Sequence, residues 1–298
     1  MGLFRSAAAV ASINLKRWLK DARVHFVFLF MGLIVIHYLS NLTIYGLEHE
    51  KTCSIYLMPH LFISANVSVN VKKTILHLGM LILLCDAPFL TKITPYMILR
   101  SRRTAWCIGE CMYILAAALI YTLFLAGISM VTVLPVAEFG NEWGSVARDA
   151  VYGKIGDVGS SAAGVEYSDL RFSSYLYRYV YPQGGQLTVM AAVWCSFSFL
   201  GLLMYVVSLA SKKLLPGMCV SGFFVFLDPL INWWMPTEWA AIVSPVTWTS
   251  IDRMRSPAVY QFMTLPLAFG LYGILIVLLF VAALYVSRRT MIEVRSRK

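Results

Sequence analysis

Asp86-Ala-Pro-Phe-Leu-Thr-Lys-Ile-Thr-Pro-Tyr-Met-Ile-Leu-Arg-Ser-Arg-Arg103 stands wedged between two long apolar runs. Residues that precede proline resist the α region, and each arginine held in hydrocarbon costs about 2.5 to 3.5 kcal/mol on insertion scales. The stretch therefore leaves the bilayer and turns, and Thr94-Pro95 can open a short surface helix. If this segment is a surface turn, the apolar runs on either side of it are membrane spans.

Composition agrees. Of 298 residues, 59% are hydrophobic and 13% charged, against roughly 25% charged in an average soluble domain. The mean hydropathy is +0.71. A net charge of +10 could suggest nucleic acid, but the basic residues sit beside apolar runs, where the positive-inside rule and anionic lipid account for them. No nucleic-acid partner is expected. The six cysteines carry no disulfide or metal spacing. Cys107 and Cys111 lie four apart on one helix face with no histidine nearby, and are read as packing residues.

Working outward towards the N-terminus, the second span is awkward. Ile75 to Cys85 is too short to cross alone, so it borrows residues upstream of Lys73. The Lys72-Lys73 pair then either snorkels to the outer interface, the favoured choice, or faces a wet cavity. Gly46 to Lys73 is semi-polar and its outer half lies outside the membrane. The first span runs from about Val24 to Tyr45, with His25 and His37 as interfacial or packed residues. Before it, residues 1–23 form an amphipathic connecting helix on the cytoplasmic surface, with Phe4, Ala8, Ala11, Leu15 and Trp18 on one face and Arg5, Lys16, Lys20 and Arg23 on another. The rest, 24–298, is one transmembrane domain.

Towards the C-terminus, the third span covers about Thr104 to Leu134 and contains Glu110, which is read either as a structural ion pair with a nearby basic residue such as Arg103 or as a coupling residue. The loop 135–186 is mixed in charge and tyrosine-rich near its end, and reads as an ordered external segment with short helices. The fourth span is about Leu187 to Ala210, closed by Ser211-Lys-Lys213 and a tight turn. The fifth begins near Gly217 and meets Asp228-Pro229, an N-cap and first-turn signature. A broken fifth span is expected there, with Asp228 as the cap and re-entrant outer helices over about 229–263. Trp233, Trp234, Trp239 and Trp248 read as an aromatic belt. The sixth span, about Phe262 to Val286, returns to a basic tail. Most of the 25 basic residues then fall on one side, so six spans with both termini cytoplasmic in the cell membrane satisfy the positive-inside rule.

Chemistry is sparse. The chain has no Gly-x-x-x-x-Gly-Lys loop, His-Glu-x-x-His or Gly-x-Ser-x-Gly, so no catalytic residue, metal or bound cofactor is expected. The buried ionisable candidates are Glu110 and Asp228, with His77 and Asp86 behind them.

With these pieces placed, the chain resembles the ATP-binding-cassette type-2 permeases, the membrane subunits of bacterial exporters. The likeness rests on the N-terminal amphipathic helix, Asp86-Ala-Pro-Phe, Thr94-Pro-Tyr-Met-Ile-Leu-Arg-Ser-Arg-Arg-Thr-Ala-Trp106, the interrupted outer region after the fifth span and Ser244-Pro-Val-Thr-Trp248. It covers essentially the whole chain. The resemblance implies a cytoplasmic coupling helix at about Leu90 to Arg103, with Pro95, Tyr96, Leu99, Arg100, Arg102 and Arg103 meeting an ATPase subunit, and a connecting helix anchored by Phe4, Leu15 and Trp18. It implies ATP and magnesium on that partner, a second permease subunit and export of an amphipathic or hydrophobic substrate. The chain departs from the family in its long loop between spans three and four and in the acid at Glu110. The alternatives are a standalone carrier or integral enzyme, or a non-transporting immunity or sensor protein. A carrier should carry interrupted spans in both halves, and only the fifth span here has one.

Overall fold

The computed structural model of the chain describes residues 2–63, 67–86, 98, 101–152, 172–234, 242–254 and 263–289. Its long elements follow the apolar runs. Helix α1 is Leu3–Trp18, α2 Ala22–Glu48, α4 Val67–Leu84, α5 Arg103–Val133, α8 Pro182–Ser211, α9 Leu214–Trp234 and α11 Leu265–Arg289. Among the described residues, α2, α5, α8, α9 and α11 are each long and apolar enough to cross a membrane. Helix α4 is 18 residues long; it carries Lys72 and Lys73 and packs between α2, α8 and α9. Apart from one two-residue strand pair, the described residues form an all-α bundle of membrane-spanning character.

Short elements cover one end of the bundle. Strand β1 (Cys53–Ser54) pairs in parallel with β2 (Ala137–Glu138), in the register Cys53 to Ala137 and Ser54 to Glu138. Around the pair lie α3 (Met58–Leu61), α6 (Gly144–Val151) and α7 (Ser174–Tyr179). The expected order in the 135–186 loop is met on both sides of 153–171, a stretch outside the described residues. Trp143 fastens the cap by donating its indole N–H to the carbonyls of Leu176 (3.0 Å) and Val180 (2.7 Å). Gln186 accepts from the Met58 amide at 3.1 Å and ties the cap to α8. Lys51 pairs with Asp149 at 2.7 Å, and that hydrogen bond, with a second to Tyr45, raises the lysine pKa.

Two sites in the cap give direct tests. Gly144 has φ +82°, and a Cβ there would lie 2.6 Å from the Thr52 carbonyl oxygen. Gly144→Ala should destabilise the cap by about 1 to 3 kcal/mol, the range for a non-glycine residue in a strained conformation, and faster proteolysis of the cap segments would report it. His60 is buried and stacks on Phe172 (5.4 Å between centroids, 6° between planes). Burial, helped by the Lys72 charge, pushes its pKa down to about 3. The unfolded imidazole takes up its proton near pH 6.5 while the folded one stays neutral. Stability is therefore complete above pH 6.5 and falls towards pH 3, by up to about 1.4 kcal/mol per unit. His60→Phe, which keeps the stack but cannot titrate, should flatten the fall in thermal midpoint between pH 7 and pH 5; an unchanged slope would refute the assignment.

The structure corrects two expectations about the spans. Helix α9 is continuous from Leu214 to Trp234 with Pro229 inside it, so the fifth span is not broken at Asp228-Pro229. Pro229 removes one backbone donor, and the helix continues past the gap. Asp228 does not cap a helix because its carboxylate is engaged by other segments. Beyond 235–241, which lies outside the described residues along with Trp239, comes a 3-10 turn (Pro245–Thr249), then α10 (Ile251–Met254). Trp233 and Trp234 are exposed, as a belt requires, but Trp248 is buried edge-on against Tyr272 at 4.9 Å.

Candidate functional site

Two polar constellations interrupt the apolar packing, one at each end of α4. The first gathers around its C-terminal end. Trp18, at the end of α1, is buried and donates its indole N–H to the Leu83 carbonyl at 3.0 Å. Arg23, in the first turn of α2, reaches the Asp86 carboxylate at 2.8 Å and Asp21 at 3.4 Å. Asp21 also caps α2 by accepting from the Arg23 amide. The entrance to the Asp86–Arg103 stretch is thus tied to both N-terminal helices.

Helix α1 is not simply laid on a surface. It runs along α5 and buries Ala7, Val10, Asn14 and Trp18. The fit depends on Gly109, where a Cβ would meet the Ala7 carbonyl oxygen and Val10 Cβ at 2.7 Å each. Of the expected anchors, Trp18 is in the packed face, Leu15 is partly buried and Phe4 is 73% exposed. The packed face is turned by one residue from the expected stripe, with Ala7, Val10 and Asn14 in place of Ala8, Ala11 and Leu15 and with Trp18 common to both, because α1 comes closest to α5 where Ala7 meets Gly109 and small residues permit it. Glu110 corrects another expectation: its Oε1 accepts from the Asn14 amide at 2.8 Å, so α1 supplies its partner in place of Arg103. Arg102, at φ +68°, and Arg103 are exposed at the start of α5. Pro95, Tyr96, Leu99 and Arg100 lie outside the described residues.

The second constellation sits near the other end of α4. Lys73 is fully buried, and its ammonium lies 2.8 Å from Asp228 Oδ2, with neither side chain exposed. Snorkelling is therefore wrong for Lys73; Lys72 instead places its ammonium over the Tyr38 ring at 4.6 Å. The other Asp228 oxygen accepts from Thr247 (2.5 Å) and Ser244 (3.3 Å), while Lys73 donates to Ser250 Oγ at 3.2 Å. One turn along α4, His77 Nδ1 lies 2.8 Å from the Lys73 carbonyl and Nε2 lies 3.1 Å from Ser196 Oγ. The carbonyl can only accept, so the imidazole carries its proton on Nδ1 and receives the Ser196 hydroxyl on Nε2. Tyr272 of α11 donates to the Pro245 carbonyl at 2.6 Å. Helices α4, α8, α9 and α11 all meet the 244–250 segment or each other here.

Sequence reasoning named Asp228 and mentioned Lys73 and His77, but did not join them. The available signal was that Lys73 and Asp228 are isolated opposite charges in apolar runs, which in a membrane must find partners. Among the described residues no group of three metal-ligating side chains occurs. Outside the bundle, the cap holds an open groove of about 730 Å³ lined by residues that include Glu138, Glu142, Arg148, Tyr177 and Arg178.

Fold and sites together define an α-helical membrane protein with a docked N-terminal helix and a buried charge pair. No family model, curated protein or solved structure matches the chain.

Proposed function

We propose that the chain is the six-span membrane subunit of an ATP-binding-cassette exporter of the type-2 class, driven by a separate ATPase and moving an amphipathic or hydrophobic substrate outward. In this scheme α4 is the second span, both termini are cytoplasmic in the plasma membrane, and a second permease subunit completes the pathway. The observation that carries the proposal is the double tie at the end of α4, Trp18 to the Leu83 carbonyl and Arg23 to Asp86. A push received by the Asp86–Arg103 segment reaches α1, α2 and α4 together, as a force-receiving element needs. The exposed Arg102 and Arg103 suit carboxylates or backbone carbonyls of an ATPase surface.

The mechanism follows from that wiring. ATPase subunits closing on ATP and magnesium draw the two coupling segments together, and α4 carries the displacement from its inner end to the buried polar cluster near its outer end. Co-purification with a soluble ATPase carrying a phosphate loop is the first test. Charge reversal at Arg102 and Arg103 should then abolish most substrate-stimulated ATP hydrolysis while leaving membrane insertion intact. A chain that purifies alone and supports no ATP-driven transport with any partner would overturn the proposal in favour of a standalone carrier.

A further inference from the structure

We infer that the Lys73–Asp228 pair and the hydroxyls of the 244–250 segment form a two-state latch that holds one end of the bundle shut and releases only as a unit, when water enters. This goes beyond the transport proposal and does not depend on what drives the motion.

Position supports it. At 1.5 Å per residue, Lys73 lies about 9 Å along α4 from its start at Val67, and Asp228 lies about 9 Å before the end of α9 at Trp234. Both charges are at the same depth, near the end of the bundle covered by the 244–250 segment. That segment is gripped from both sides: Asp228 accepts from Thr247 and Ser244, and Lys73 donates to Ser250. The His77–Ser196 contact gives α4 a hold on α8, and Ser221 gives α9 one of its own by donating to the Leu200 carbonyl at 3.1 Å, so the latch can part while both helices stay seated on α8.

Energetics decides between a latch and a permanent joint. A buried ion pair adds little net stability over apolar residues of similar size, because desolvating two charges offsets their attraction. A joint meant never to open is as well made from leucine and methionine. What charges add is a cheap open state, since both ends hydrate well once water reaches them. Parting them while either end stays dry is costly, so partial openings are suppressed and the element has two discrete arrangements.

The test uses Val246, which is fully buried among the latch hydroxyls and forms no side-chain hydrogen bond. In the full-length chain in sealed vesicles, a Val246→Cys reporter is treated with a membrane-impermeant maleimide, and labelling is counted above that of the chain lacking the reporter. Expected is slow but measurable labelling in the parent, and labelling about tenfold faster with Lys73→Met or Asp228→Asn, which leave one charge buried alone. The double change Lys73→Met with Asp228→Leu should label at least about fivefold more slowly than the parent, since an apolar joint has no hydrated open state. Should the single variants fail to accumulate, parent against double variant decides alone. A double variant labelled as fast as the parent or faster overturns the latch, as do single variants as well protected as the parent.

Discussion

Lys73→Met alone is expected to remove about 3 to 5 kcal/mol of folding stability, the usual cost of leaving one member of a buried ion pair behind. Asp228 would keep its hydrogen bonds from Thr247 and Ser244 but lose the cation that neutralises it, in a site with no exposure to water. The effect should be largely reversed when Asp228→Leu is added, because the second change removes the orphaned charge. Thermal unfolding of the four chains of this double-mutant cycle in detergent measures the coupling directly. Two additive single effects would show that the residues act separately.

The second large effect is expected at Gly109. Leucine there would drive its Cβ into the Ala7 carbonyl and Val10, and the displaced α1 would take Asn14 away from Glu110. Overpacking costs about 1 to 3 kcal/mol and an orphaned buried acceptor about as much again. The local consequence is larger than the global one, since the remaining spans do not need α1 to insert. Trypsin should cut the α1 basic residues at least about tenfold faster, and on the proposed function ATP-driven transport should fall with insertion unchanged. Wild-type protection of α1 would mean that the helix repacks without Gly109.

How much of this could be read from the sequence depended on the range of the interaction concerned. Apolar run length located α2, α5, α8 and α11 to within a few residues, because crossing a hydrocarbon layer is a constraint each helix meets alone. The face of α1 was read one residue out of register for the opposite reason. Trp18 lies in both the expected stripe and the packed face, but the seat of Ala7 and Val10 against α5 is set by Gly109, nearly a hundred residues away. Asp228-Pro229 carried a local signature of a helix start, but tertiary partners engaged the carboxylate and the helix ran on. Lys73 was sent to the interface because its immediate neighbourhood offers no counter-ion; the one it has stands on α9. The segment that organised the sequence reading, Asp86–Arg103, is seen mainly through its two ends, and those ends are where Arg23, Trp18 and α5 are fixed.

One small feature bears on what can move. The β1–β2 pair joins the chain just after α2 to the chain just after α5, and Thr43 of α2 donates to the Thr132 carbonyl of α5 nearby at 3.1 Å. At the opposite end α1 is seated along α5 and leads directly into α2. These three helices are stapled top and bottom and form a chassis. Any large displacement in this molecule is then borne by the helices mounted on that chassis, among which the contact between α4 and α9 is ionic and therefore reversible.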